Sequence, residues 1–352
     1  MNWRKVCASA IVMLLCGVLM STVIAMAQGE YVDTSKYKKQ PPYVVGLSNV
    51  SPANAFKVAM VEEFKAEAEK LKKAGVIKQY YITDAGGAIA KQIADIEDLM
   101  AKGVDLLLVT ATSPSAISPV VEKAVSRGIV VVSFDNVVDT PKVTVRLGAN
   151  QEELGGSMMR WLCEELGGKG KIVMLGGIPG TSSAVRRWKG AEDVLKRYPG
   201  IEVVGTAWVN WAFDKGKAAM ENFLAAHPVI NGVWTDGGGS AQGALTACME
   251  AGRIIPVTGT ASNGFLKLWA QLKPKGFRSY SATEPPYCSV VALELGLKVL
   301  QGERVKHEEE MPLEIVTNDN VESLARFDVS DIFWVHTKLS DDKVRELWGT
   351  KK

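Results

Sequence analysis

Between Tyr43 and Ala282 two patterns alternate. Short runs dense in Val, Ile and Leu give way to longer stretches whose apolar residues recur at helical spacing. The first pattern predicts strands covered on both faces; the second predicts helices with one buried side. The chain reads as strand 43–48, helix 54–74, strand 76–83, helix 88–102, strand 105–110, helix 116–127, then strands 129–134 and 142–147. Ile89, Ile93, Ile96 and Met100 mark one buried stripe, and Gly75, Gly103 and Gly128 stand just past helix ends, where a left-handed stop is expected. The pattern then restarts: helix 151–166, strand 171–175, helix 182–197, strand 203–209, helix 213–226, strand 232–235, helix 241–251, strand 256–259, helix 264–272, strand 277–282 and a long helix 286–300. Such alternation implies parallel sheets between helices. The restart near 147–151 implies two α/β lobes of similar architecture. The long helix follows a complete second set, so it is expected to return to the first lobe. Residues 308–352 read as a strand and loop with a short terminal helix.

Composition changes the picture at the N-terminus. Arg4 and Lys5 precede an apolar run from Val6 to Ala25, and Ala25-Met26-Ala27 has the small-x-small form of a cleavage site. Residues 1–27 read as a signal peptide cut before Gln28, and 28–42 as a flexible lead ending at Pro41-Pro42. The segment carries two basic and no acidic residues, so its removal takes the balance from 41 against 39 to 39 against 39. A neutral surface argues against nucleic acid or a polybasic membrane contact. No later apolar run is long enough to span a bilayer. Cys163, Cys248 and Cys288 remain, an odd number that argues against a disulfide framework. The first two fall inside helical patterns, as buried apolar residues do.

In open α/β sheets ligands bind beyond the carboxyl ends of the strands. The turns there hold a polar set, Asp135, Asn136, Arg187, Asp236, Ser262, Asn263 and Glu284, and an aromatic set, Phe56, Trp188, Trp208, Trp211, Phe213 and Trp234. The stretch SPANAFKVAM at 51–60 puts the Asn54 amide, the Phe56 ring and Lys57 within four positions of a strand-to-helix junction. Charge-assisted hydrogen bonds suit hydroxyls at a sugar's edge, and aromatic rings suit its C–H faces. The same set fits a nucleoside or a small cyclic metabolite. Each residue also has a structural reading. Ser51, Asn54 and Ser182 are good N-caps, Asp135 suits a turn, Arg187 suits an exposed helix face, and tryptophans commonly pack in cores. All of them, however, share one side of two sheets. Catalytic and cofactor patterns are lacking. His227, His307 and His336 lie outside these turns and away from metal-ligand spacing. No G-x-S-x-G elbow occurs. Gly167-Gly168-Lys169-Gly170-Lys171 ends a helix and leads into a strand, the reverse of a phosphate-binding loop, and Gly237-Gly238-Gly239 lacks dinucleotide spacing. No cofactor and no metal are expected.

The order and spacing of several motifs carry a resemblance. They are V-G-L-S and N-A-F within 45–56, S-F-D-N at 133–136, G-T-S-S-A-V-R-R at 180–187, F-D-K-G-K at 213–217, A-H-P at 226–228, G-A-L at 243–245 and K-V-L-Q-G-E at 298–303. From about Tyr43 to Glu303 the chain resembles the ribose-binding type of periplasmic sugar-binding proteins of ABC transporters. The resemblance implies the type I periplasmic binding protein fold. Its two Rossmann-like lobes, 43–148 with 284–306 and 149–283 with 307–352, would be joined by three crossovers, near 147–150, near 282–284 and after Glu303, and would close on ligand by a hinge, with the tail packed across that hinge or on the second lobe. It implies a periplasmic monomer that delivers a sugar or sugar-like molecule to ABC permease membrane subunits, with a chemoreceptor as a further partner. By position, Asn54, Asp135 and Arg187 match sugar-binding residues of the family, with Phe56 and Phe213 as aromatic walls. Departures stand beside these matches. Lys57 replaces a second aromatic, Asn136 an arginine, and Gly237, beside Asp236, a polar residue. Ala261, beside Ser262 and Asn263, replaces an aspartate, and Thr283, beside Glu284, an amide. A buried hydroxyl without a partner costs roughly 1–3 kcal/mol, so D-ribose is not expected to be the principal ligand. Lys57 with Arg187 admits an acidic or phosphorylated sugar; Lys57 directed at solvent is the alternative.

Three other readings compete. A chemoreceptor-linked sensor uses the same fold. A secreted α/β enzyme would need a carboxylate dyad such as Asp135 with Asp236. A sugar-responsive transcription regulator is disfavoured by the export signal and by the lack of an N-terminal helix-turn-helix.

Overall fold

The computed structural model of the protein describes residues 30–51 and 55–350. Residues 1–27, read as a signal peptide, and Asn54 lie outside the described residues. The described residues divide into two compact units: unit 1 comprises 30–51, 67–148 and 290–309, and unit 2 comprises 55–66, 149–289 and 310–350.

Unit 1 is built on β1 (Tyr43–Asn49), β2 (Ile77–Asp84), β3 (Leu106–Val109), β4 (Val130–Phe134) and β5 (Val145–Ala149). With β10 (Glu308–Met311) they form a six-stranded sheet in the order β10-β5-β4-β3-β1-β2. The pairings β1 with β2, β1 with β3, β3 with β4 and β4 with β5 are parallel. Every residue of β3 and β4 is buried, which is why these strands read as unbroken apolar runs. α1 (Ala55–Lys73) joins β1 to β2, and its residues up to Ala66 group with unit 2. α2 (Ile89–Ala101) and α3 (Ser118–Ser126) cover the sheet through Ile96, Leu99, Val120 and Val121. α9 (Cys288–Gln301) belongs to unit 1 from Val290 onward. It approaches β3 so closely that a Cβ on Gly296 would lie 2.3 Å from Leu106 Cδ1. The described part of the lead, 30–42, is docked rather than a loose tether. Val32 is buried, its N–H donates to Val305 O at 2.9 Å, and the Arg304 guanidinium sits 3.7 Å from the Tyr31 ring centroid.

Unit 2 carries β6 (Lys169–Gly176), β7 (Gly200–Trp208) and β8 (Gly232–Thr235) in the parallel order β7-β6-β8. Around them run α4 (Gln151–Glu165), α5 (Ser182–Leu195), α6 (Phe213–Ala226), α7 (Gly238–Glu250) and α8 (Asn263–Leu272). Two expected strands are reduced. Residues 256–259 make only single bridges, Val233 to Val257 and Gly259 to Ser281. The run 277–282 pairs regularly only as β9 (Ser281–Thr283), antiparallel to β11 (Glu314–Val316). The reason is a side chain: Asn318 accepts from Ser279 N–H and donates to Phe277 O, replacing ladder partners. α7 starts three residues before the expected Ala241, at Gly238. The segment from Glu310 packs into unit 2, where Val316, Phe333, Val344 and Trp348 join the main apolar cluster. It contains α10 (Val321–Leu324) and α11 (Asp341–Trp348). Cys163, Cys248 and Cys288 are buried free thiols, and burial pushes the first two up to about 11 and about 12. Among the described residues no helix is long and apolar enough to cross a membrane, and no cluster of three or more His, Cys, Asp or Glu is placed to hold a metal ion.

Candidate functional site

The polar residues of unit 2 converge just past its strands. β8 ends at Thr235 and hands the chain to Asp236, which is 1% exposed. β7 ends at Trp208, and the next turn puts Asn210 and Trp211 in the left-handed region at φ 54° and 56°. Asparagine tolerates that conformation; tryptophan does not, and such residues cost of order 1–3 kcal/mol each unless their surroundings hold them. Here the surroundings do. The Trp211 indole lies against Gly177 and Gly237, where a Cβ would come within 2.0 Å and 2.4 Å of the ring. Its Nε1 donates to Asp236 Oδ1 at 3.0 Å.

Arg187, on the second turn of α5, stacks its guanidinium 5.7 Å from the Trp211 ring centroid and donates from Nη1 to Asp236 O at 3.1 Å. Its Nε donates to Gln151 Oε1 at 2.7 Å, and Gln151 Nε2 donates to Glu284 Oε2 at 3.0 Å. One glutamine amide therefore spends both ends fixing a cation and a carboxylate. Helix packing allows it. α4 and α5 approach until a Cβ on Gly155 would lie 2.0 Å from Arg187 O, and one on Gly190 would lie 1.9 Å from Glu152 O. Lys57, on the first turn of α1, completes the set; it is 8% exposed.

Burial governs the charges. It raises Asp236 above the usual carboxylate range, against the opposing pull of Arg187. It raises Glu284 likewise, against Arg187 and Lys57. It lowers Arg187, which Asp236 and Glu284 support. It lowers Lys57 to about 8, with Cys288 and Glu284 acting the other way. Two cations thus face two carboxylates. Each carboxylate spends one oxygen on a protein donor, while Asp236 Oδ2 and Glu284 Oε1 are buried without a hydrogen-bond partner among the described residues. Ser262 Oγ is buried and without a partner in the same sense. It lies against Gly238, whose Cβ would come within 2.4 Å of it.

Of the candidates read from sequence, Lys57, Arg187, Trp211, Asp236, Gly237 and Glu284 belong to this constellation, and Ser262 adjoins it through Gly238. Lys57 is not directed at solvent. Other candidates in unit 2 are engaged elsewhere. Trp188 packs 4.8 Å from Trp208 and 5.7 Å from Trp234, centroid to centroid, and its Nε1 donates to Glu192. Phe213 is 41% exposed at the first residue of α6. Thr283 is buried in β9 opposite Glu314. Asn263 donates from Nδ2 to the carbonyls of Arg326, Val329 and Ser330 and accepts from Arg326 N–H, so its amide is committed to the C-terminal segment. In unit 1, Asp135 follows β4 with φ 55°, and the exposed Asn136 accepts from Ala111 N–H through its backbone. That end of the unit 1 sheet also holds Asn49 Oδ1 and Thr83 Oγ1, both buried and without a partner among the described residues. Sequence reasoning missed Gln151, Asn49 and Thr83. Gln151 had a signal, since it is a polar residue at the junction where the α/β pattern restarts. Asn49 closes β1 and Thr83 is the penultimate residue of β2, and they carried only their position.

The fold and this geometry agree with what the chain resembles. A family model described as a periplasmic binding protein domain matches residues 45–304. The ribose import binding protein of Bacillus subtilis (strain 168) is 29% identical over 306 residues, 87% of this chain and 97% of that protein. The xylitol-binding protein of Mycolicibacterium smegmatis is 30% identical over 244 residues, 68% of each chain. Among solved structures, the fructose binding periplasmic domain of a hybrid two component system is 26% identical with a TM-score of 0.67, covering 81% of this chain and 93% of its own. The parallel α/β units, the converging polar groups at strand ends and a family match over most of the chain make this protein a member of the periplasmic binding protein family, of the type I, ribose-binding-like kind.

Proposed function

We propose that the protein binds a neutral, cyclic, polyhydroxylated molecule, a sugar or a close analogue, and delivers it to an ABC importer. The carrying observation is the pair of buried carboxylates, each anchored by one oxygen and presenting the other, Asp236 Oδ2 and Glu284 Oε1. An orphaned buried acceptor costs roughly 1–3 kcal/mol, and a ligand hydroxyl recovers it. Two carboxylates already balance Lys57 and Arg187, and the open carboxylate oxygens are acceptors. The site therefore selects hydroxyl donors over a sugar acid or sugar phosphate. The Trp211 indole, fixed by its glycine neighbours, offers an apolar face beside them. Relatives named for ribose and xylitol support the ligand class. Export by a cleaved signal peptide, the ABC permease as partner, a role for Asp135 and Asn136 of unit 1, and binding without turnover complete the reading. A second reading, a sensor that reports the same ligand to a signalling partner, is favoured by the likeness to a domain of a hybrid two component system.

The test is a thermal-shift panel of pentoses, hexoses, deoxy sugars, polyols, sugar acids, sugar phosphates and nucleosides. Ligand at about a hundred times its dissociation constant adds about 2.7 kcal/mol of stability. We expect a shift with a neutral sugar or cyclic polyol, lost in Asp236→Asn and in Arg187→Ala. No shift across the panel, in protein whose denatured form releases no small molecule by mass spectrometry, rejects the proposal.

A further inference from the structure

The C-terminal segment lies beyond the matched family region, which ends at 304, yet it runs to the residues of the candidate site. Asn263 N–H donates to Phe333 O at 2.8 Å, and Ser262 forms an antiparallel bridge with Trp334. Trp334 is half-buried, and its ring centroid lies 5.3 Å from that of Phe56 at an interplanar angle of 77°, an edge-to-face pair. Phe56 is the neighbour of Lys57. Trp334 therefore reaches the constellation through two neighbours of it, Phe56 and Ser262. Through Phe56 it adjoins the side that holds Lys57 and Glu284; through Ser262 and Gly238 it adjoins the side that holds Asp236. The segment is also held firmly there. Thr337 Oγ1 donates to Glu63 Oε1, Lys338 N–H donates to Glu63 at 3.0 Å, and Glu63 is 2% exposed. The Lys338 ammonium sits 5.1 Å from the Tyr287 ring centroid.

We infer that Trp334 is a specificity-determining wall of the ligand site. Its indole, set at right angles to Phe56, covers the C–H face of a ring-shaped ligand whose hydroxyls meet Asp236 and Glu284. The C-terminal segment thereby decides which rings are accepted. This rests on the proposed binding of a polyhydroxylated molecule. An indole beside buried acceptors suits such a ligand, because ring faces gain from apolar burial while the edges hydrogen-bond.

The experiment compares wild type, Trp334→Phe, Trp334→Leu and Asp236→Asn by calorimetry against D-allose, L-arabinose, myo-inositol and the acyclic xylitol. Leucine keeps apolar bulk against Phe56 without a flat face, and the unliganded unfolding midpoint of each variant checks that the segment stays packed. The expected result is a tenfold or greater loss in Trp334→Leu for the best-binding cyclic probe, a change under about threefold in Trp334→Phe, and a loss for xylitol smaller than that for the ring. Equal affinities and an unchanged probe ranking in Trp334→Leu, with binding abolished in Asp236→Asn, overturn the role of Trp334 and leave the binding reading intact. Wild-type protein that takes xylitol but no cyclic probe overturns it too. Wild-type protein that takes none of the four overturns the role of Trp334, whereas the binding reading falls only with no shift across the wider panel.

Discussion

Lys57 holds its charge where only 8% of the residue meets solvent, and burial lowers it from an ordinary value of 10.5 to about 8. The unfolded chain therefore binds a proton at this site between pH 8 and 10.5 that the folded chain releases. Folding is relieved of the buried charge as pH rises through that window, and this contribution to stability grows. A shift of one unit is worth 1.36 kcal/mol. The stability of wild type relative to Lys57→Met should therefore rise by about 2 kcal/mol between pH 7.5 and 9.5, measured by urea unfolding. A difference that is flat across this range would mean that Glu284 holds Lys57 fully protonated. Sequence placed Lys57 beside Phe56 but left its direction open. Burial is a property of what packs on the helix, here residues far along the chain such as Glu284 and Cys288.

Gly155 on α4 and Gly190 on α5 show the same limit between elements. In a helical pattern a glycine reads as a weak position, yet here each admits the other helix's backbone. Alanine raises helix propensity by about 1 kcal/mol. At position 155, however, its Cβ would sit 2.0 Å from Arg187 O, so the helices must part. Gly155→Ala should cost roughly 1–3 kcal/mol of stability by overpacking. It should also weaken ligand binding by moving Arg187 away from Gln151. Chemical denaturation and calorimetry test both; an alanine variant as stable as wild type would show that α5 yields without strain. Most element positions were legible because buried parallel strands and one-sided helices have distinct periods. Bounds failed where a side chain replaced the ladder, as Asn318 does at Phe277 and Ser279, and where Gly238 let α7 begin early against Ser262.

For the whole molecule, ligand choice is the sum of several substitutions. Lys57, Asn136, Gly237, Ala261 and Thr283 each depart from the pattern of the ribose-binding type, and unpartnered hydroxyls cost roughly 1–3 kcal/mol each. D-ribose should therefore bind more weakly than micromolar by calorimetry, despite the 29% identity to a ribose import binding protein. A micromolar or tighter constant would show that Glu284 and Asp236 replace the lost partners. The C-terminal segment bears on this too. Sequence gave it a strand, a loop and a short helix, but Asn263, which read as a ligand residue, holds its backbone instead.

By itself the sequence determined the α/β class, the restart of the pattern, the family and the turns where a site must lie. All of these follow from local periodicity, motif order and the rule that ligands meet strand ends. Only the tertiary structure decided which residues of those turns converge. It chose Gln151 as the amide that joins Arg187 to Glu284, turned Trp188 to Trp208 and Trp234, and brought Trp334 to Phe56. The physical reason is that periodicity reports whether a position is buried, whereas the partner of a buried polar group is fixed by contacts between residues distant in the chain, which no local pattern records.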